Sequence, residues 1–202
     1  MNTAEALELL DWKRRVFALY AEVREELDPE RAWQRWRQER DELFRNHPQS
    51  ALTEEARAAF SGLSYFPYDP GLRLRARLNP ASAETYSIPT SGDETIEFQR
   101  LATVEFEVRD RACSLEAYWL TGYGGGLFLP FRDATSGSTT YGAGRYLLDT
   151  VKGADLGTDD GAIVLDFNFA YNPSCSYNPR WVCPLAPPAN RLDIPVEAGE
   201  RT

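Results

Sequence analysis

The chain has 202 residues, 43% of them hydrophobic and 12% aromatic, a length and composition that build one domain with a substantial core. A formal net charge of -9 argues against nucleic acid or an anionic membrane surface as the main partner. No run of about 18 apolar residues is present to span a membrane, and Met1-Asn2-Thr3-Ala4-Glu5 lacks the basic region and apolar run of a secretory signal, so a cytoplasmic protein is expected.

Residues 1–62 read as an N-terminal helical arm. Leu9, Trp12, Val16, Leu19, Val23 and Leu27 recur at three- and four-residue steps and make one apolar stripe. Thr3 stands where an N-cap is expected, with Glu5 in the first turn. Asp28-Pro29 ends this helix and opens a second, Asp28 as cap and Pro29 at the first position. In that second helix Trp33, Trp36, Leu43 and Phe44 face one way, while Arg31, Arg35, Glu39 and Arg40 are expected to clothe the rest. Asn46-His47-Pro48 stops it, His47 serving as helix-end punctuation, and Thr53-Glu54-Glu55 starts a short third helix that ends near Ser61-Gly62.

From Leu63 onward the period changes to two. Leu72, Leu74, Ala76 and Leu78 alternate with Arg73, Arg75 and Arg77; Val104, Phe106 and Val108 alternate with Glu105, Glu107 and Arg109. Leu115, Ala117 and Trp119 follow, then Leu127, Leu129 and Phe131, and last Ile163, Leu165, Phe167, Phe169 and Tyr171 around Asp166 and Asn168. Asp110-Arg111, Gly122 to Gly126, Thr135-Ser136-Gly137, Gly142 to Gly144 and Asp159-Asp160-Gly161 separate them with turn chemistry. Short strands with short links predict a mainly β (α+β) chain: a curled antiparallel sheet or barrel-like domain over 63–202, with the helical arm packed on it in one structural unit.

The polar segment after the last strand, Tyr171-Asn172-Pro173-Ser174-Cys175-Ser176-Tyr177-Asn178-Pro179-Arg180, doubles a Tyr-Asn-Pro unit around a cysteine. Proline fixes φ and asparagine bonds its own backbone, so the segment is either a rigid loop braced by its own hydrogen bonds or a ligand-contacting loop. Asp166 and Asn168 are expected on the strand face opposite Phe167 and Phe169, a solvated face or one turned to a polar cavity. Asp133 and Arg145 flank a polar turn and pair across a hairpin, or Arg145 clamps an anion. Gly142 and Gly144 fit a bulge or a close backbone approach. The Arg73, Arg75 and Arg77 stripe reads as a solvated face paired with acids.

Cys113, Cys175 and Cys183 are too few and too odd for a disulfide scaffold, and no CxxC is present. Cys175 and Cys183 fit inert thiols before a disulfide, metal ligands or a nucleophile, since no base stands nearby in the sequence. With His47 the single histidine, no metal and no cofactor are expected.

These segments resemble a bacterial and archaeal family, the domain of unknown function 1684 family. The resemblance rests on Phe60-x-Gly62-Leu63-x-Tyr65-Phe66-Pro67, Phe128-x-Pro130-Phe131-x-Asp133-x-Thr135, Thr140-Tyr141-Gly142-x-Gly144-Arg145-Tyr146-Leu147 and Asp166-Phe167-Asn168-x-Ala170-Tyr171-Asn172-Pro173-x-Cys175-x-Tyr177-Asn178. Cys183-Pro184, Pro187-Pro188-x-Asn190-Arg191-Leu192 and the closing Ala198-Gly199-Glu200 also fit. The resemblance carries no activity. It implies that Asp133, Arg145, Asp166, Asn168, Asn172, Cys175 and Asn178 share a site at one end of the sheet. The leading expectation is a small-molecule-binding domain with Arg145 and the asparagines as polar anchors. The alternatives are a hydrolase using Asp166 or Asp133 as base or Cys175 as nucleophile, and a structural module in which these residues brace the fold.

Overall fold

The computed structural model describes residues 2–122 and 124–202. Met1 and Tyr123, the second inside the turn expected over Gly122 to Gly126, lie outside the described residues. Helix α1 (Thr3–Glu25) is capped one residue earlier than the sequence suggests: Asn2 accepts from the Glu5 amide, and Glu5 accepts in return from the Asn2 amide. Helix α2 (Pro29–Asn46) starts as expected, with the Asp28 carboxylate accepting from the amides of Glu30 and Arg31, and His47 is its C-cap. Helix α3 (Glu54–Ala58) follows behind Thr53. The apolar stripe of α1 stops short of Leu27, which is 94% exposed in the link between helices. Among the described residues no helix is long and apolar enough to cross a membrane.

The strands are β1 (Arg73–Ala76), β2 (Leu78–Pro80), β3 (Thr85–Pro89), β4 (Thr95–Val108), β5 (Arg111–Leu120), β6 (Gly126–Phe131), β7 (Arg145–Asp149), β8 (Thr158–Asp159) and β9 (Ala162–Asp166). They form two antiparallel sheets, β1-β9-β8 and β2-β4-β5-β6-β7 with β3 also paired to β4. The molecule is α+β, and neither sheet closes into a barrel among the described residues. The Leu72–Leu78 alternation is divided between the two sheets at Arg77.

The apolar side chains form two clusters. One gathers Leu115, Leu129, Phe131 and Leu147 of the larger sheet with Ala76, Ile163 and Leu165 of the smaller. The other sets Tyr20, Trp33 and Trp36 of the helices with Phe98, Tyr118, Phe128 and Tyr146. Alternate residues of β5 and β6 therefore serve different clusters, as the pleat requires. Trp36 is fully buried and its ring lies 5.1 Å from that of Phe169.

The last alternation ends sooner than its period implies. β9 stops at Asp166, whose carboxylate accepts the Asn168 amide at 3.0 Å and caps a single 3-10 turn over Phe167–Phe169. The opposed faces expected for Asp166/Asn168 and Phe167/Phe169 are thereby lost, and all four residues are buried. The C-terminal tail is laid beside this turn: the Phe66 amide bonds Gly199 O, the Glu200 amide bonds Ala170 O and the Arg201 amide bonds Ser64 O. Gly199 permits that approach, since at φ +75° a Cβ would sit 2.6 Å from Ala170 O and 2.7 Å from Phe167 O.

Candidate functional site

Asp133 lies in the turn after β6 and accepts from the Thr135 amide and hydroxyl, the Ser136 hydroxyl, the Val196 amide and Arg145. Arg145 opens β7, is 1% exposed, and donates to the carbonyls of Ala198, Val196 (3.0 Å) and Glu200 (3.3 Å) as well as to Asp133 at 3.4 Å. Burial lowers the Arg145 pKa, opposed first by the Asp133 charge. Gly144 beside it takes φ +102°, where a Cβ would lie 2.6 Å from Phe131 O. The pair is a clamp that holds the tail against the sheet.

Asp166 and Asn168 make a second closed set. The Asp166 carboxylate accepts from the Asn168 side chain at 2.8 Å and from Arg73 at 3.2 Å, and burial raises its pKa. Asn168 exchanges 2.8 Å bonds with the backbone of Asp69, and its carbonyl accepts from the Trp33 indole. The other arginines of the stripe meet acids as expected, Arg75 with Asp159 at 2.5 Å and Arg77, just past the end of β1, with Asp160 at 4.0 Å. Asn178 accepts from the Arg180 amide in a local turn.

The Tyr-Asn-Pro segment is tied down by a residue that pattern reading passed over. Glu200 is 1% exposed, and its carboxylate accepts from the Asn172 amide at 3.1 Å, from Arg40 at 2.7 Å and from the Tyr177 hydroxyl. Burial pushes Glu200 above the usual carboxylate range while Arg40 opposes that shift. Arg40 also donates to the Tyr65 hydroxyl, and its guanidinium covers the rings of Trp36, Phe44 and Tyr171. It therefore leaves the solvent-facing set in which α2's charge pattern places it. The one sequence sign of Glu200 is the closing Ala198-Gly199-Glu200.

Between α1, α2 and this segment lies a cavity of about 250 Å³. Trp12, Val16, Tyr20, Phe44 and Trp181 supply apolar walls, with Asn172, Pro173, Ser174, Tyr177 and Cys183 along one side. Lys13, Arg40 and Lys152 all line it, and Lys13 and Lys152 are the only two lysines of the chain. Lys152 pairs with Asp149 at 3.3 Å and keeps half its side chain in solvent. Two lining residues hold unsatisfied chemistry: the Tyr171 hydroxyl and the Asn172 carbonyl oxygen are buried without a hydrogen-bond partner. Burial raises Tyr20 to about 12 and raises Tyr171 well above the usual phenol value, so both stay neutral donors at physiological pH. Of the seven residues singled out from the sequence, Asn172 lines this cavity; Asp133 with Arg145 and Asp166 with Asn168 are engaged elsewhere, and Asn178 in its own turn.

Cys175 stands on a 3-10 turn, Ser174–Ser176, and its Sγ lies 3.8 Å from the Tyr141 hydroxyl. The neighbouring Cys183 thiol lowers the Cys175 pKa to about 6 against the opposing effect of burial, and Cys183 itself is raised. All three cysteines are free. Among the described residues no three His, Cys, Asp or Glu side chains stand together to hold a metal ion.

No curated protein matches the chain. A solved structure does: the solution NMR structure of an uncharacterised protein of Haloarcula marismortui, 39% identical, with a TM-score of 0.61 over 84% of this chain and 91% of that one. The sequence model of the family described as protein of unknown function, DUF1684, matches residues 58–201. That span holds both closed polar sets, the Tyr-Asn-Pro segment and Glu200. On that match and that likeness, the chain belongs to the DUF1684 family of proteins of unknown function.

Proposed function

We propose that the protein binds a small anionic molecule with an apolar body in the cavity between the helical arm and the Tyr-Asn-Pro segment. The observation that carries this is the cavity's lining: apolar rings inside, both lysines of an acidic chain at it, and two buried polar atoms left without partners. A polar atom buried without a bond costs about 1–3 kcal/mol, which a ligand carboxylate accepting from the Tyr171 hydroxyl would relieve. At about 250 Å³ the space suits a molecule below drug size, such as a medium-chain carboxylate. The Tyr171 hydroxyl, Lys13 and Lys152 are the polar anchors in this reading with Asn172 beside them, while Arg145 and Asp133 brace the tail and Asp166 and Asn168 brace the end of β9. Five donors fill the Asp133 carboxylate and leave it no free lone pair for a general base, and three donors engage the fully buried Asp166.

Octanoate titration followed by tryptophan fluorescence tests the proposal, because Trp12 and Trp181 line the cavity. A saturable change is expected; a linear, unsaturated response at all concentrations would remove the reading.

A further inference from the structure

The two copies of the Tyr-Asn-Pro unit treat their polar side chains in opposite ways. In the second copy the hydroxyl and the amide oxygen both find partners in the protein: the Tyr177 hydroxyl donates to Glu200, and Asn178 Oδ1 accepts from the Arg180 amide at 3.0 Å. In the first copy the same two atoms, the Tyr171 hydroxyl and Asn172 Oδ1, are buried without a partner. Tyr171 and Asn172 both line the cavity, at 9% and 5% exposure. Their backbones are pinned, Tyr171 exchanging bonds with Tyr146 at 2.9 and 3.1 Å and the Asn172 amide meeting Glu200 at 3.1 Å. The Asn172 side chain is fixed as well. Its Nδ2 donates to Arg201 O at 3.2 Å, a carbonyl that Oδ1 could not face, so the amide cannot turn over to satisfy its acceptor.

Those two atoms ask for different chemistry. The Tyr171 phenol donates and is met by a carboxylate oxygen. Asn172 Oδ1 only accepts, and a carboxylate ionised at neutral pH has no proton to give it. The donor that Asn172 calls for is uncharged. Lys13, Arg40 and Lys152 line the cavity and, among the described residues, no Asp or Glu does, so an ammonium would sit beside three cations with no counter-ion. Resting on the anion site proposed above, we infer that the ligand is a hydroxy acid, a medium-chain carboxylate with a hydroxyl close to its head group. The carboxylate accepts from Tyr171, and the hydroxyl donates to Asn172 Oδ1. A plain carboxylate leaves Oδ1 buried and unmet in the complex. The hydroxyl removes that penalty, and a site with such an acceptor discriminates against the analogue that lacks the group.

The test is calorimetric titration of the full chain with octanoate, 2-hydroxyoctanoate, 3-hydroxyoctanoate and 2-oxooctanoate. At least one of the two hydroxy acids should bind about five-fold tighter than octanoate or more. The 2-oxo acid, which adds lone pairs but no proton, should bind no tighter than octanoate. This comparison needs no variant. In Asn172→Ala the ratio between the hydroxy acid and octanoate should fall to about one. Octanoate binding with no hydroxyl advantage at either position overturns the inference and leaves the anion site standing. A gain matched by 2-oxooctanoate, or one that survives Asn172→Ala, overturns it too. Binding by none of the four removes the anion site and this inference together.

Discussion

Arg40 in α2 and Glu200, two residues from the C-terminus, meet at 2.7 Å with 12% and 1% of their side chains in solvent. This ion pair joins the helical arm, the Tyr-Asn-Pro segment and the tail, because the same carboxylate holds the Asn172 amide and the Tyr177 hydroxyl. Removing one partner leaves a buried charge uncompensated, at a cost of about 3–5 kcal/mol. Arg40→Met should therefore lower Tm by roughly 10 °C, at about 2–4 °C per kcal/mol for a chain of this size. Arg40→Met combined with Glu200→Gln should recover part of that loss in thermal denaturation. If the double variant melts below the unsubstituted protein by the sum of the losses in Arg40→Met and Glu200→Gln alone, the two residues are not coupled.

The two residues that look alike in the sequence as polar hallmarks, Arg145 and Asn172, should separate on substitution. Arg145→Met removes a buried guanidinium that holds the Val196, Ala198 and Glu200 carbonyls and Asp133, so a loss of about 3–5 kcal/mol is expected. Asn172→Ala keeps the amide that serves Glu200 and loses only the 3.2 Å side-chain bond to Arg201 O, for about 1 kcal/mol. Denaturant midpoints measured on both variants decide this, and equal losses would contradict the division between brace and site.

Gly199→Ala should destabilise by about 1–3 kcal/mol. Its φ of +75° and the two carbonyls that would stand within 2.7 Å of an alanine Cβ leave no room for the methyl. The same change at Gly124, which has the same sign of φ and open space around it, isolates the steric part when the two unfolding free energies are compared.

Tyr20, Tyr146, Tyr171 and Tyr177 are all raised by burial, Tyr20 to about 12. A raised folded value means the unfolded chain loses its proton first. The stability from keeping these phenols neutral is full below the unfolded value of about 10 and is lost as pH climbs toward the folded values. Phenolate absorbance should then rise together with loss of circular dichroism above about pH 10. Independent titration of these groups near pH 10 with the fold intact would refute the burial.

Much of the architecture is legible in the chain because helix and strand periods act locally. Asp28-Pro29 and the Trp33/Trp36/Leu43/Phe44 face lie where the pattern puts them. The full length of β4 is hidden because a register shift against β5 between Arg100 and Ala102 breaks the alternation and turns Leu101 out to 40% exposure. Arg40 reads as surface because a helical wheel weighs only neighbours, and its partner is 160 residues away. The cavity is invisible for the same reason: Trp12, Val16 and Tyr20 belong to an ordinary apolar stripe, and only tertiary folding brings Asn172 and the two lysines to it.

Whether this cavity takes an anion with an apolar body is decided by calorimetric titration with octanoate and octanol, which share a chain length and differ in charge. Octanoate should bind measurably and at least several-fold tighter than octanol, and added salt should weaken it. In Lys13→Gln/Lys152→Gln its affinity should fall about ten-fold, as two partly solvated charges of up to about 1 kcal/mol each imply. Equal binding of octanoate and octanol, or octanoate affinity unchanged in the double variant, would contradict an anion site.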